Sequence, residues 1–178
     1  MKSNKIVIIF LIKFFVTYAL LFLMYSIYLS KTQKTKVFFA CSPITNTVAK
    51  QTKDVLDVLG YNAKIEQHSS EVSVKLGIND KFVARVIEGC NSINIIILFI
   101  SFIVAFANKF KVTILYILAG SLIIYVVNIL RIAVISIALY EYPQFEGFLH
   151  GILFPLIIYG ITFLLWFIWV RKFSLIKK

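Results

Sequence analysis

The sequence predicts a mainly α, polytopic membrane protein with about four transmembrane helices and a small extracytoplasmic amphipathic helix plus β-hairpin. Three observations carry that expectation. Of the 178 residues, 60% are hydrophobic and the mean hydropathy is +0.90, more than one small soluble core uses but ordinary where lipid replaces water as the solvent. The apolar residues are gathered into four long stretches rather than spread evenly. The 19 Lys and Arg against 8 Asp and Glu, net charge +11, flank those stretches at Lys2, Lys5, Lys109, Lys111, Arg171, Lys172, Lys177 and Lys178. That placement reads as cytoplasmic anchoring and excludes nucleic acid as a partner.

Each element follows in order. Residues 6–29 form an apolar run of sufficient length to span, at 1.5 Å rise per residue, with Lys13 near enough to its start to snorkel. The run is too long for the core of a cleaved signal and lacks a small-residue cleavage site, so it is expected to stay as a helix. Residues 30–89 are polar and form the extracytoplasmic insertion. Ser42-Pro43 is an N-cap followed by proline at the first helical position, Gly60 is a C-terminal stop, and Ile44, Val48, Val55, Leu56 and Leu59 share one face between them. This amphipathic helix is expected to pack on the bundle or lie at the membrane surface. Val72, Val74 and Leu76 alternate with polar residues, Gly77-Ile78-Asn79-Asp80 carries turn chemistry, and residues 82–86 resume an extended pattern. The remaining spans are expected at 90–107, 112–139 and 149–170, joined by a basic loop at 108–111 and an aromatic, acidic loop at 140–147. The whole chain, 1–178, reads as a single membrane domain. Under the positive-inside rule the N-terminus, the 108–111 loop and the basic tail are cytoplasmic, and the insertion and the 140–147 loop lie outside.

Cys90, Arg131 and His150 fall at or near the outer end of three different apolar segments, so hydropathy alone puts them at one membrane face. Ionisable groups retained in spanning segments face partners, cavities or substrate paths. A cysteine thiolate is a strong nucleophile once a cation or base favours it. Histidine can take the thiol proton and return it to a leaving amine, and arginine can stabilise a thiolate, a carboxylate or an oxyanion. Asn128, one turn before Arg131, is a candidate to orient the guanidinium. Glu88, Glu141 and Glu146 are the other acids near that face, and His68 lies in the polar insertion. The bland readings are a packed thiol, a hydrated histidine and a snorkelling arginine. Cys41 follows Phe38-Phe39-Ala40, a poor lipoprotein acceptor, because Lys31, Lys34 and Lys36 separate it from the apolar run. The two cysteines form no disulfide framework. No metal-ligand spacing, phosphate-binding glycine loop or cofactor motif is present in the sequence.

Three blocks now stand in order on successive spans: Val83-Ala84-Arg85-Val86-Ile87-Glu88-Gly89-Cys90-Asn91, Tyr125-Val126-Val127-Asn128-Ile129-Leu130-Arg131-Ile132, and Leu149-His150-Gly151-Ile152-Leu153-Phe154-Pro155. Together they resemble the signature blocks of the exosortase/archaeosortase family, closest to the short exosortase F branch of Bacteroidetes-type bacteria, over nearly the whole chain. The resemblance implies a membrane-embedded cysteine protease-like transpeptidase in the bacterial inner membrane, with its active site at the extracytoplasmic face. Cys90 would be nucleophile, His150 the acid/base and Arg131 the third essential residue. Its partners would be exported proteins with C-terminal sorting signals, membrane lipid, an unknown amine or lipid acceptor and an accessory membrane protein, with no cofactor. The alternatives are a non-catalytic sorting or assembly factor that binds sorting helices without cutting them, and a lipid-modifying transferase.

Overall fold

The computed structural model describes residues 2–33, 40–107 and 109–173, the side chains of 2–4, 6 and 150 excepted. Lys34, Lys36, Phe38, Phe39, Asn108, Lys177 and Lys178, all used in reading the sequence, lie outside the described residues. Helix α1 (Lys2–Thr32) is the first apolar run. Its Val7–Thr32 stretch has the length and apolarity to cross a membrane, and large side chains such as Ile8, Phe15, Leu20 and Leu23 point outward over most of its length. Polar groups would be stranded on such a face in lipid, and it has almost none.

The insertion folds into a small cap. Helix α2 (Pro43–Val58) starts and stops where the sequence predicts: the Ser42 hydroxyl accepts from Thr45 N, proline occupies the first turn, and Gly60 takes φ +89° just past the end. Val48 and Leu56 are fully buried, whereas Leu59, one residue beyond the last turn of the helix, is exposed. The expected hairpin is present as β2 (Ser73–Ile78) and β3 (Lys81–Ile87). Its turn is the two-residue Asn79-Asp80, both at positive φ as such hairpins require, and Gly77 sits instead at the register shift. A further strand, β1 (Ala63–Gln67), pairs antiparallel with β2 and makes a three-stranded sheet in the order β1-β2-β3. Val74, Leu76, Ile78 and Val86 bury one face of this sheet against α2 and against Ile129, Ile132 and Ala133 of helix α4 (Phe110–Glu141).

That packing explains the length of α4. Its 32 residues reach about 48 Å, well beyond a ~30 Å hydrocarbon core. The cap covers the C-terminal half of the helix, from Tyr125, whose OH donates to Gln51 of α2 at 2.6 Å, through Ile129, Ile132 and Ala133 to Ile137 and Tyr140. The span expected at 90–107 is shorter than predicted. A 3₁₀ turn, Glu88–Cys90, and the left-handed Ser92 (φ 62°) precede α3 (Ile93–Ala105), whose 13 residues reach about 20 Å. Among the described residues three helical segments, Val7–Thr32, Phe110–Glu141 and Pro143–Phe173, are long and apolar enough to cross, with α3 as a shorter apolar helix packed among them.

The 140–147 connection is also tighter than expected. Only Tyr142 leaves helical geometry, Pro143–Phe145 turns as 3₁₀, and α5 (Glu146–Phe148) leads through a π-helical turn, Leu149–Leu153, into α6 (Phe154–Ile168). A second π turn, Trp169–Phe173, ends the described chain. Between the long helices, Phe99, Ile103, Ile124, Ile158, Leu165 and Trp169 form a second core. There Trp169 Nε1 donates to Phe106 O, and Tyr116 OH to Leu165 O.

Candidate active site at the cap and membrane boundary

Cys90 ends the 3₁₀ turn that joins the edge strand β3 to α3, so it stands at the mouth of the helix rather than inside it. It is half-buried and lines a cavity of about 790 Å³. The walls of that cavity are the outward sheet face, including Lys64, Lys75, Phe82, Arg85 and Ile87, together with Glu146. Gly89, next to Cys90, has nothing within 4 Å of where a Cβ would stand. The backbone beside the sulfur is therefore open to approach.

The turn that carries Cys90 is held from three sides. From α4, Asn128 Nδ2 donates to Cys90 O at 2.7 Å. From the start of α2, Ser42 N and Ser42 Oγ donate to the Glu88 carboxylate at 2.5 and 2.9 Å, joined by Thr45 Oγ1. From the other side of the turn, Asn91 Nδ2 meets Tyr25 OH of α1 at 2.7 Å, Thr45 Oγ1 at 3.0 Å and Glu88 Oε2 at 3.3 Å, while Asn91 Oδ1 accepts from Ile93 N. Sequence reading offers Asn128 as a partner of Arg131 and leaves Glu88 as one of three acids near this face. Among the described residues Asn128 Nδ2 holds the Cys90 carbonyl, and Glu88 accepts from the start of α2 and from Asn91.

Arg131 is 5% exposed. Its guanidinium stacks over the Phe154 ring at 3.5 Å from the centroid, and Nη1 reaches Phe154 O at 3.4 Å. Nε has no hydrogen-bond partner, and no carboxylate pairs with this cation among the described residues. Cys90 and Tyr159 are the groups near enough to interact with it electrostatically. A buried arginine normally spends its fork on a carboxylate, and leaving donors unmet is costly. This one keeps a donor unspent within electrostatic range of a thiol.

His150 lies in the π-helical turn, one turn ahead of Phe154; its side chain lies outside the described residues. The backbone placement is informative on its own. Pro155 has no N–H to give to the carbonyl four residues back, and Phe154 N bonds Leu149 O, so the helix widens here. Leu149 packs with Ile135 and Leu139 of α4, fixing the turn against the helix that carries Arg131. Glu146 shares the cavity with Cys90, whereas Glu141 is exposed and makes no ion pair among the described residues.

Cys41, the rival thiol, is 3% exposed and sits in the cap core, with Cys90 packed at the edge of the same cluster. Burial first, then the nearby Glu88 and Cys90, push its pKa up to about 11. A thiol so shielded is a poor nucleophile at neutral pH. Tyr25, Ser42, Thr45 and Tyr159 escape sequence reading as members of this neighbourhood. The Ser42 cap was visible, but only the fold brings it to Glu88, 46 residues away.

A family model described as transmembrane exosortase matches residues 8–169. No curated protein and no solved structure matches the chain.

Proposed function

The chain belongs to the transmembrane exosortase family, and on that premise we propose that it is a membrane-embedded cysteine transpeptidase, of the short exosortase F type, acting on exported proteins at the outer face of the bacterial inner membrane. The observation that carries this reading is Arg131: a buried guanidinium whose Nε donor is unspent, within electrostatic reach of a half-buried thiol that opens into a cavity. In this mechanism Cys90 gives its proton to His150, and the thiolate, stabilised by Arg131, attacks the carbonyl carbon of the scissile peptide bond. The tetrahedral oxyanion collapses, the C–N bond breaks, and His150 returns the proton to the leaving amine. The leaving fragment is the C-terminal sorting helix, which departs into the membrane. The acyl group remains on Cys90 as a thioester until an amine or lipid hydroxyl acceptor attacks it. His150, neutral again, takes the acceptor's proton in that second attack; the C–S bond breaks, Cys90 and His150 return to their starting state, and the exported protein is attached to the envelope.

The position of the cavity suits this division of the substrate. Its walls belong to the extracytoplasmic cap, where the exported part of a substrate would lie, while the apolar helices below offer a path for the sorting helix. The test is intact-protein mass spectrometry of exported proteins in cells carrying Cys90→Ala. We expect insertion in the membrane to persist and trimmed substrates to disappear. Trimming at wild-type level would remove the nucleophile and leave a factor that binds sorting helices without cutting them.

A further inference from the structure

We propose that Glu88 is a positioning residue for the reaction: its carboxylate fixes the Cys90 turn against the first turn of α2 and so holds the sulfur in register with Arg131. The inference rests on the reading of Cys90 as nucleophile. A carboxylate two residues from a candidate nucleophile invites the role of proton carrier, but its geometry argues otherwise. Oε1 accepts from Ser42 N, and Oε2 accepts from Ser42 Oγ, Thr45 Oγ1 and Asn91 Nδ2. Three donors crowd Oε2 and one holds Oε1, and all four come from the cap or from the turn itself. The negative charge also lies against the N-terminus of α2, where free N–H groups and the helix dipole favour it.

The mechanical consequence comes from chain connectivity. Glu88 and Cys90 are the two ends of a single 3₁₀ turn, and Asn91, which Glu88 also contacts, is the next residue. Pinning Glu88 and Asn91 leaves the intervening Cys90 little freedom, and the Asn128 bond to its carbonyl removes most of what remains. Arg131 is three residues after Asn128 on α4, so the cap sets the thiol and α4 sets both the carbonyl clamp and the cation. Gly89 needs no side chain for this arrangement and leaves one side of the turn clear.

Thr45 is the discriminating handle. It donates to Glu88 but belongs to α2 and has no part in proton transfer. The experiment uses full-length protein in detergent, comparing wild type, Glu88→Gln, Thr45→Val and the double variant. The primary probe is the alkylation rate of Cys90 by iodoacetate relative to iodoacetamide, read by peptide mass spectrometry. The anionic reagent is favoured only while the sulfur sits beside the guanidinium, so Arg131→Met supplies the baseline. We expect Glu88→Gln and Thr45→Val each to lower this ratio toward that baseline by about threefold or more, with the double variant no worse than the stronger single. Trimming per folded molecule should fall in parallel, by up to about a hundredfold for a displacement near 1 Å. Thr45→Ser, which restores the hydroxyl, should restore both readouts. A ratio unchanged in Thr45→Val, which leaves every charge in place, overturns the proposal. So does a pH profile of trimming that changes in Glu88→Gln while Thr45→Val keeps the wild-type ratio and profile, since that pattern belongs to a proton carrier. The alkylation ratio needs no turnover, so it still tests Glu88 if Cys90→Ala shows that the transpeptidase reading is wrong.

Discussion

Gly120 lies on α4 where Phe99 of α3 presses against the helix. A methyl group added there would stand 2.3 Å from Phe99 Cζ, 2.7 Å from Cε1 and 3.3 Å from Cε2. Carbon atoms pack at about 3.5–4.0 Å, so the ring or the helix must move by more than about 1 Å. The ring has little room, being fully buried among Ile103, Ile124 and Ile158 with Tyr116 alongside. Overpacking costs about 1–3 kcal/mol, and a 2.3 Å approach to a buried ring lies in the upper part of that range, about 2–3, offset by the ~1 kcal/mol that alanine gains over glycine inside a helix. Gly120→Ala is therefore expected to lose about 1–2 kcal/mol, a drop in Tm of about 2–8 °C for a chain of this size, measured by thermal unfolding in detergent. The clashing atoms are all absent from leucine, so Phe99→Leu combined with Gly120→Ala should be no less stable than Phe99→Leu alone. Because α3 begins just after the Cys90 turn and α4 carries Arg131, Gly120→Ala should also slow trimming per folded molecule. A Tm within about 1 °C of wild type, or losses in the double variant that simply add, would refute this account of the contact.

Other perturbations have equally definite outcomes. Arg131→Lys should lose at least about tenfold in trimming at equal membrane abundance, because an ammonium cannot reproduce a planar cation stacked on Phe154 with a free Nε; turnover equal to wild type would reduce Arg131 to a snorkelling charge. At pH 8 iodoacetamide should modify Cys90 but spare Cys41, whose thiol ionises only near pH 11; double modification of folded protein at pH 8 would contradict its burial. The same raised pKa means folded protein holds the Cys41 proton longer than unfolded protein, so this residue's contribution to stability is intact below pH 9 and falls away as the pH climbs toward 11. Cysteines placed at Ser70 and Gln144 should both react with an impermeant reagent from the outer face of the inner membrane, and labelling of both only in inverted vesicles would reverse the proposed orientation.

What the sequence reveals about this fold is what local chemistry writes down. Ser42-Pro43 and Gly60 mark both ends of α2 because caps and stops act within a turn of their own residue, and alternation finds β2 for the same reason. Strand β1 escapes because Ala63-Lys64-Ile65-Glu66-Gln67 carries too few apolar residues to alternate; only pairing with β2 makes it a strand. Hydropathy likewise places the start of the second span at Cys90, since Ile93 onward is apolar, but the left-handed Ser92 and the turn before it are conformations that hydropathy does not register. At the candidate site the order of Cys90, Arg131 and His150 along the chain is legible. Their supports are not, because Glu88 with Ser42, Asn91 with Tyr25 and Asn128 with Cys90 join residues 38 to 66 apart, or choose one partner among several within reach.

The π turn at Leu149–Leu153 changes the phase of everything that follows it. An α-helix advances about 100° per residue, so the one surplus residue held in that turn rotates α6 by roughly that angle relative to an unbroken helix from Glu146. Phe154 meets the Arg131 guanidinium in the rotated setting, and the faces of α6 that meet α3 and α4 are chosen by it as well. Length is thus a coded variable in this stretch. Loss or gain of one residue between Pro143 and Phe154 would swing the aromatic ring away from the cation while leaving every side chain of the site in the sequence, so a family member could keep all its signature residues and still be silent.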